Sequence, residues 1–162
     1  MTEQMRFQTA EQVVNKLINH GWTISFAESC TGGMACARLV DVPDASKVLN
    51  ASFVTYANEA KTGLLGVQNA TLEQWGAVSE QTAGEMALGV ANANKATVGV
   101  AISGIAGPGG GTAEKPVGTV CFGFAVNGRL TTETKHFGPL GRTEVRNAAT
   151  DYVFATLFDL LS

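Results

Sequence analysis

Two potential nucleophiles stand side by side where an apolar run of the sequence becomes polar. The stretch TISFAESCTGG, residues 23–33, carries Ser29 and Cys30 between its apolar positions and a glycine pair. A serine at a strand-to-helix turn would present its hydroxyl to a site, and nearby main-chain N–H groups could form an oxyanion hole. For Ser29 the alternative is that it only caps a helix. For Cys30 both a nucleophile and a small buried thiol remain open.

A serine nucleophile needs a base, and Lys61 is the candidate that lies at a suitable junction. The two histidines of the chain fall at the end of the first predicted helix and in the last predicted strand. Lys61 lies one turn into a helix predicted to start at Asn58 as its N-cap, on the same side as Tyr56 if the strand ends are adjacent. A lysine can act as a base if its pKa falls from about 10.4 to roughly 7 or 8. An ordinary solvated lysine is the alternative.

Two further features could bind an anion. The loop SGIAGPGGG, residues 103–111, directly follows a predicted buried strand, and its main-chain N–H groups could close on a phosphate or carboxylate. It is neither a Walker loop nor a GxGxxG motif, and a plain surface loop is the alternative. Arg142 and Arg146, one turn apart near the start of the last predicted helix, could clamp an anion or form a solvated face.

The elements that would position these residues alternate between helices and strands. Helices are predicted over residues 8–19, 31–43, 58–66, 71–75, 79–92 and 143–161, and strands over 22–27, 52–56, 97–102, 117–126 and 129–137. The dipeptide Asn127-Gly128 predicts a hairpin between the last two strands. The expected fold class is α/β: a layered α/β/α domain with a mixed sheet and a C-terminal hairpin followed by a long helix. Ligands bind beyond the carboxyl ends of strands in such sheets.

The composition limits the class of protein. The 162 residues fit one domain, 1–162, and a net charge of -3 argues against duplex nucleic acid as a partner. No apolar run approaches a membrane span of roughly 18 residues and the start lacks a signal-peptide plan, so we expect no membrane partner and a cytoplasmic location. Three widely spaced cysteines without CxxC argue against zinc and a disulfide framework. We expect no metal and no cofactor.

Five motifs in sequence order resemble the carboxy-terminal domain family of competence/damage-inducible protein A, in its free-standing form. They are AESCTGG, FVTYANEAK, GAVSE, SGIAGPGGG and KPVGTV, and the resemblance runs from about Trp22 to Tyr152. The enzymatic members of that family are nicotinamide-nucleotide amidases. The resemblance therefore implies conversion of nicotinamide mononucleotide to nicotinate mononucleotide and ammonia, a small-molecule mononucleotide substrate and a homodimer.

The resemblance also implies a role for each candidate residue. Ser29 would attack the amide carbon, Lys61 would take its proton, and Tyr56 would relay or orient the proton. The resemblance implies substrate binding by Asn58 and by the N–H of Cys30. On the oxyanion side the implied residues are Thr31, Gly32 and Gly33. On the phosphate side they are Ser103, Gly104, Ala106, Gly107, Arg142 and Arg146. A catalytically weak or inactive nucleotide-binding paralogue is the first alternative, and a Ser/Lys hydrolase for another amide or ester is the second.

Overall fold

The computed structural model describes residues 1–162, which form six α-helices and five strands. In chain order these are α1 (Glu3–His20), β1 (Ile24–Glu28), α2 (Met34–Val40), β2 (Phe53–Val54), α3 (Asn58–Leu65), α4 (Asn69–Trp75), α5 (Glu80–Ala93), β3 (Val98–Gly104), β4 (Thr119–Val126), β5 (Arg129–His136) and α6 (Arg142–Leu160). The five strands form one sheet in the order β2-β1-β3-β4-β5.

The sheet is mixed, as the sequence predicts. β2, β1 and β3 are parallel, whereas β4 is antiparallel to both β3 and β5. The β4–β5 connection is the predicted hairpin turn: Asn127 and Gly128 have φ values of 51° and 86°, the left-handed conformation of a type I′ turn. The prediction of a late hairpin is confirmed.

Helices cover both faces of the sheet, which confirms the layered α/β/α prediction. The larger buried cluster joins α1, α2 and α6 to one face, with Phe26, Phe122 and Phe124 among its sheet residues. The smaller cluster joins α5 and the end of α3 to the other face. Each helix layer buries an apolar stripe against the sheet, and this burial is the main favourable contribution to stability.

Several boundaries differ from those predicted, each for a local reason. α1 begins at Glu3 rather than residue 8 because the Thr2 side chain accepts from the Met5 N–H, and this capped first turn is largely exposed and so carries no apolar pattern. α2 begins at Met34 rather than Thr31 because the two preceding glycines have positive φ. The predicted N-cap at Asn58 is wrong: Ala57 is the cap, and Asn58 is the first helical residue.

Two glycines of the sheet allow α5 to lie directly on the strands. A Cβ at Gly99 would collide with the carbonyl of Ala87, and a Cβ at Gly123 would collide with the carbonyl of Ala83. Gly123→Val is therefore expected to lower the free energy of unfolding by about 3 kcal/mol or more, measured by urea denaturation. The matched control is Gly63→Ala, in open space on α3, which should raise stability by about 0.5–1 kcal/mol. A Gly123→Val protein as stable as the wild type would contradict this account.

Candidate active site

A pocket of about 290 Å³ lies at the carboxyl edge of the three parallel strands. Ser29 directly follows β1, Tyr56 follows the end of β2, and Ser103 stands near the end of β3. The predicted site residues that line this pocket are Ser29, Cys30, Tyr56, Lys61, Ser103, Gly104, Ala106, Gly107 and Arg142. The three junctions singled out in the sequence therefore meet at one place.

The side chains of Ser29 and Lys61 are in direct contact. Lys61 Nζ lies 3.1 Å from Ser29 Oγ, and the same nitrogen donates to the main-chain carbonyls of Thr55 at 2.6 Å and Tyr56 at 3.2 Å. Lys61 is 1% exposed, and Ser29 is 9% exposed. The amine thus has three polar neighbours and almost no access to bulk water.

This environment favours the neutral amine. Burial lowers the pKa of Lys61 from its ordinary value, because removal from water disfavours the ammonium. A neutral amine has two N–H donors and one lone pair, and the carbonyls of Thr55 and Tyr56 can take the two donors. The lone pair is then left for the Ser29 hydroxyl, which is the geometry of a base beside a nucleophile.

The thiol next to Ser29 is in the opposite situation. Burial raises the pKa of Cys30 to about 12, so almost none of it is thiolate at neutral pH. Its side chain belongs to the larger apolar cluster. Its main-chain N–H donates to no other residue of the chain, and Cys30 is one of the residues that line the pocket.

Arg142 and the glycine-rich loop form the other wall of the pocket. The Arg142 guanidinium donates to the Gly107 carbonyl at 2.8 Å and to the Tyr56 hydroxyl at 3.1 Å. The main-chain N–H groups of Ala106, Gly107, Gly109 and Gly110 have no acceptor within the chain. A guanidinium beside unpaired main-chain donors is an arrangement that suits an anion.

Comparison with known proteins identifies the family. The sequence profile of the CinA C-terminal domain matches residues 6–161. This chain belongs to the CinA C-terminal domain family. A protein from Enterobacter agglomerans named nicotinamide-nucleotide amidohydrolase PncC is 50% identical over 138 residues, which cover 85% of this chain and 84% of that protein. Its name assigns an amidohydrolase activity to that relative.

Solved structures of the CinA superfamily share the fold. The competence/damage inducible protein from Agrobacterium tumefaciens is 40% identical, with a TM-score of 0.94 over 97% of this chain and 96% of that chain. The CinA superfamily protein from Escherichia coli is 34% identical, with a TM-score of 0.93 over 99% and 93%. Other relatives are much longer: the chain spans 32% of the CinA-like protein of Desulforapulum autotrophicum, to which it is 53% identical over 136 residues.

Within this CinA C-terminal domain, some predicted binding residues lie outside the pocket lining. They are Thr31, Gly32, Gly33, Asn58 and Arg146. The predicted two-arginine clamp does not form, because Arg146 donates to the main-chain carbonyls of Cys30 and Thr31 while only Arg142 reaches the pocket. Only the main-chain carbonyl of Tyr56 contacts Lys61. The Tyr56 hydroxyl accepts a hydrogen bond from Arg142 and forms none with Lys61 or Ser29.

Two contributions to the CinA site were not predicted from the sequence. Ala77 and Val78 line the pocket from the segment before α5, held there by the Ser103 hydroxyl, which donates to the Ala77 carbonyl at 2.8 Å. They lie in GAVSE, one of the five motifs of the family resemblance, but no residue of that motif was predicted to contribute to the site. The second is Glu28, whose buried carboxylate accepts three hydrogen bonds from the turn and helix that follow it.

The CinA domain shows no grouping of His, Cys, Asp and Glu side chains that could hold a metal ion. Neither α1 nor α6, the longest helices, nor any other helix combines the length and hydropathy of a membrane span.

Proposed function

We propose that this chain hydrolyses the carboxamide of nicotinamide mononucleotide, giving nicotinate mononucleotide and ammonia, with Ser29 as the nucleophile and Lys61 as its base. The observation that carries the proposal is the buried 3.1 Å contact between Lys61 Nζ and Ser29 Oγ, with two carbonyls occupying the remaining N–H groups of a neutral amine. The name of the Enterobacter agglomerans relative supports the choice of substrate.

The reaction we propose has two stages. The Ser29 proton passes to Lys61 as Oγ attacks the carboxamide carbon, and the developing oxyanion is stabilised by the unpaired Cys30 N–H. Lys61 then returns the proton to the leaving nitrogen, and ammonia departs to leave an acyl ester on Ser29. A water molecule gives its proton to Lys61, attacks the ester carbon, and releases the carboxylate and the free serine.

Phosphate recognition is proposed for the opposite wall. Arg142 and the unpaired N–H groups of Ala106, Gly107, Gly109 and Gly110 supply the positive charge and donors that a phosphate monoester needs. Because the Tyr56 hydroxyl contacts Arg142, we place Tyr56 with phosphate recognition, where it orients the guanidinium, rather than in proton transfer.

The test is product formation from three related compounds. The purified protein is incubated with nicotinamide mononucleotide, nicotinamide riboside or nicotinamide, and the acid products are separated by chromatography. We expect rapid turnover of the mononucleotide alone. Equal turnover of all three would argue against phosphate recognition, and saturable mononucleotide binding by calorimetry without any product would favour the nucleotide-binding paralogue.

Loss of Arg142 should act mainly on substrate affinity. Arg142→Ala is expected to raise KM for the mononucleotide about 10- to 100-fold with little change in kcat, since it removes a charged donor from the proposed phosphate side of the pocket. Arg129→Ala, which removes an exposed arginine of the hairpin, is the charge-matched control and should leave KM unchanged. A fall in kcat alone for Arg142→Ala would contradict the phosphate assignment.

The homodimer implied by the family resemblance stays a prediction. Sedimentation velocity at several protein concentrations would test it, and a single species of 16.9 kDa throughout would count against it.

A further inference from the structure

The turn that carries the nucleophile is held from one side by a buried carboxylate. Glu28 is 1% exposed, and its Oε1 accepts from the Thr31 hydroxyl at 2.7 Å and from the Ala35 N–H at 2.9 Å. Its Oε2 accepts from the Cys36 N–H at 2.9 Å. The carboxylate thus connects the end of β1 to the start of α2 across the turn that contains Ser29.

The same turn is held from the other side by Arg146 of α6. Its Nε donates to the Cys30 carbonyl at 2.9 Å, and one terminal nitrogen donates to the Thr31 carbonyl at 3.2 Å. Gly32 permits this close approach: its φ is 58°, and a Cβ there would lie 3.3 Å from the Arg146 guanidinium. One side chain therefore fixes two successive peptide groups.

These contacts determine where the free donor of the turn points. The Ser29 carbonyl accepts from the Gly32 N–H at 3.1 Å, which closes the turn. Because a peptide bond is trans, the N–H of Cys30 lies opposite that carbonyl. The orientation of the free Cys30 N–H is thus set by the turn, and the turn is fixed by Glu28 and Arg146.

We propose that Glu28 and Arg146 are positioning residues for the nucleophile: together they hold Ser29 Oγ within reach of Lys61 and keep the Cys30 N–H aligned for the oxyanion. For amide turnover the inference rests on the proposed function, whereas for the reactivity of the Ser29 hydroxyl it does not. Neither residue touches the substrate in this scheme, so both should act on kcat rather than on binding.

Glu28→Gln is the first test. A carboxamide keeps one acceptor oxygen but presents an NH2 group to the second set of donors, so at least one main-chain or hydroxyl donor loses its partner. We expect kcat to fall about 10- to 100-fold and KM to stay within about twofold. The matched control is Glu85→Gln, because Glu85 likewise accepts from main-chain and hydroxyl donors, here one N–H and one hydroxyl, but lies outside the lining of the pocket that contains Ser29. Its kcat should equal that of the wild type.

Arg146→Met is the second test, with Arg38→Met as its control. Each change removes one guanidinium that forms a hydrogen bond between α6 and another segment. Arg146 lies on α6 and donates to the turn, whereas Arg38 lies on α2 and donates to Asp151 of α6 at 2.7 Å. Arg146→Met should lower kcat about 10- to 100-fold at an unchanged KM, whereas Arg38→Met should lower Tm without lowering kcat. Thr31→Val is a milder variant that replaces Glu28→Gln as the test if that protein does not fold. It removes one donor to Glu28 and should lower kcat about fivefold.

A substrate-independent measurement separates this inference from the proposed function. The rate at which a fluorophosphonate labels Ser29 is followed by intact mass, and it should fall in Glu28→Gln and Arg146→Met but not in the controls. Labelling that is slowed in these variants, in a protein that does not hydrolyse the mononucleotide, would leave the inference standing and remove the proposed substrate. Unchanged kcat and labelling in both variants, losses matched by the controls, or a wild-type Ser29 that is not labelled would each overturn the inference.

Discussion

Replacement of Ser29 by alanine is expected to reduce the formation of nicotinate mononucleotide at least about 10³-fold, because no covalent intermediate can then form. The fold should survive, since the Ser29 hydroxyl has Lys61 as its hydrogen-bond partner and the change removes a single oxygen atom. The measurement is single-turnover chromatography of the product, with Tm recorded on the same sample.

Ser25→Ala is the matched control for this prediction. Ser25 is also buried and lies four residues earlier in β1, where its hydroxyl donates to the Ala51 carbonyl at 2.7 Å. Its loss should lower Tm and leave the rate within about twofold of the wild type, since it reaches no part of the pocket. If Ser29→Ala retains full activity, the serine mechanism is wrong.

Replacement of Lys61 by arginine is expected to reduce the rate by at least about 10³-fold as well. A guanidinium keeps the positive charge and the donors but stays protonated at any pH at which the protein is folded, so it cannot accept the Ser29 proton. Lys61→Met should be equally inactive because it has no lone pair of comparable basicity. An active Lys61→Arg protein would show that Lys61 is only an electrostatic or structural group.

The pH profile of the wild type tests the same role. Burial lowers the pKa of Lys61, and only the neutral form can act as a base. The rate should therefore rise with pH through the lowered pKa and level off above it. Between the folded and unfolded pKa values the unfolded chain binds one more proton, so the contribution of Lys61 to unfolding free energy also rises with pH. The Tm of the wild type should therefore rise relative to that of Lys61→Met as the pH increases through this range.

The sequence allowed prediction of those features that depend on local pattern. The apolar run of β3, the Asn127-Gly128 turn and the spacing in α6 are each visible over fewer than about 20 residues, and all three are confirmed. Because parallel strands end at a common edge, the junctions after β1, β2 and β3 were expected to meet there. Ser29 and Lys61 were therefore predicted to lie at the same edge, whereas the contact between their side chains is not visible in the sequence.

Features that depend on distant partners could not be predicted. Arg142 and Arg146 lie one turn apart on α6, and that spacing places them on one face, but their acceptors are carbonyls roughly 35 and 115 residues earlier in the chain. Glu28 was visible as an acid in AESCTGG, yet its role depends on main-chain N–H groups that only the folded turn directs toward it. Ala77 enters the pocket through the hydroxyl of Ser103 in the same way.

The shortness of β2 is expected to limit the temperature range over which the protein is active. Only two residues of that strand are in register with β1, yet the segments that carry Ser29 and Lys61 leave the sheet directly from these two strands. Edge segments with so few ladder bonds open at much lower free energy than central strands do. We therefore expect warming to separate the Lys61 amine from the Ser29 hydroxyl while the phenylalanine-rich core is still folded, so that activity is lost at a lower temperature than the Tm measured on the same sample.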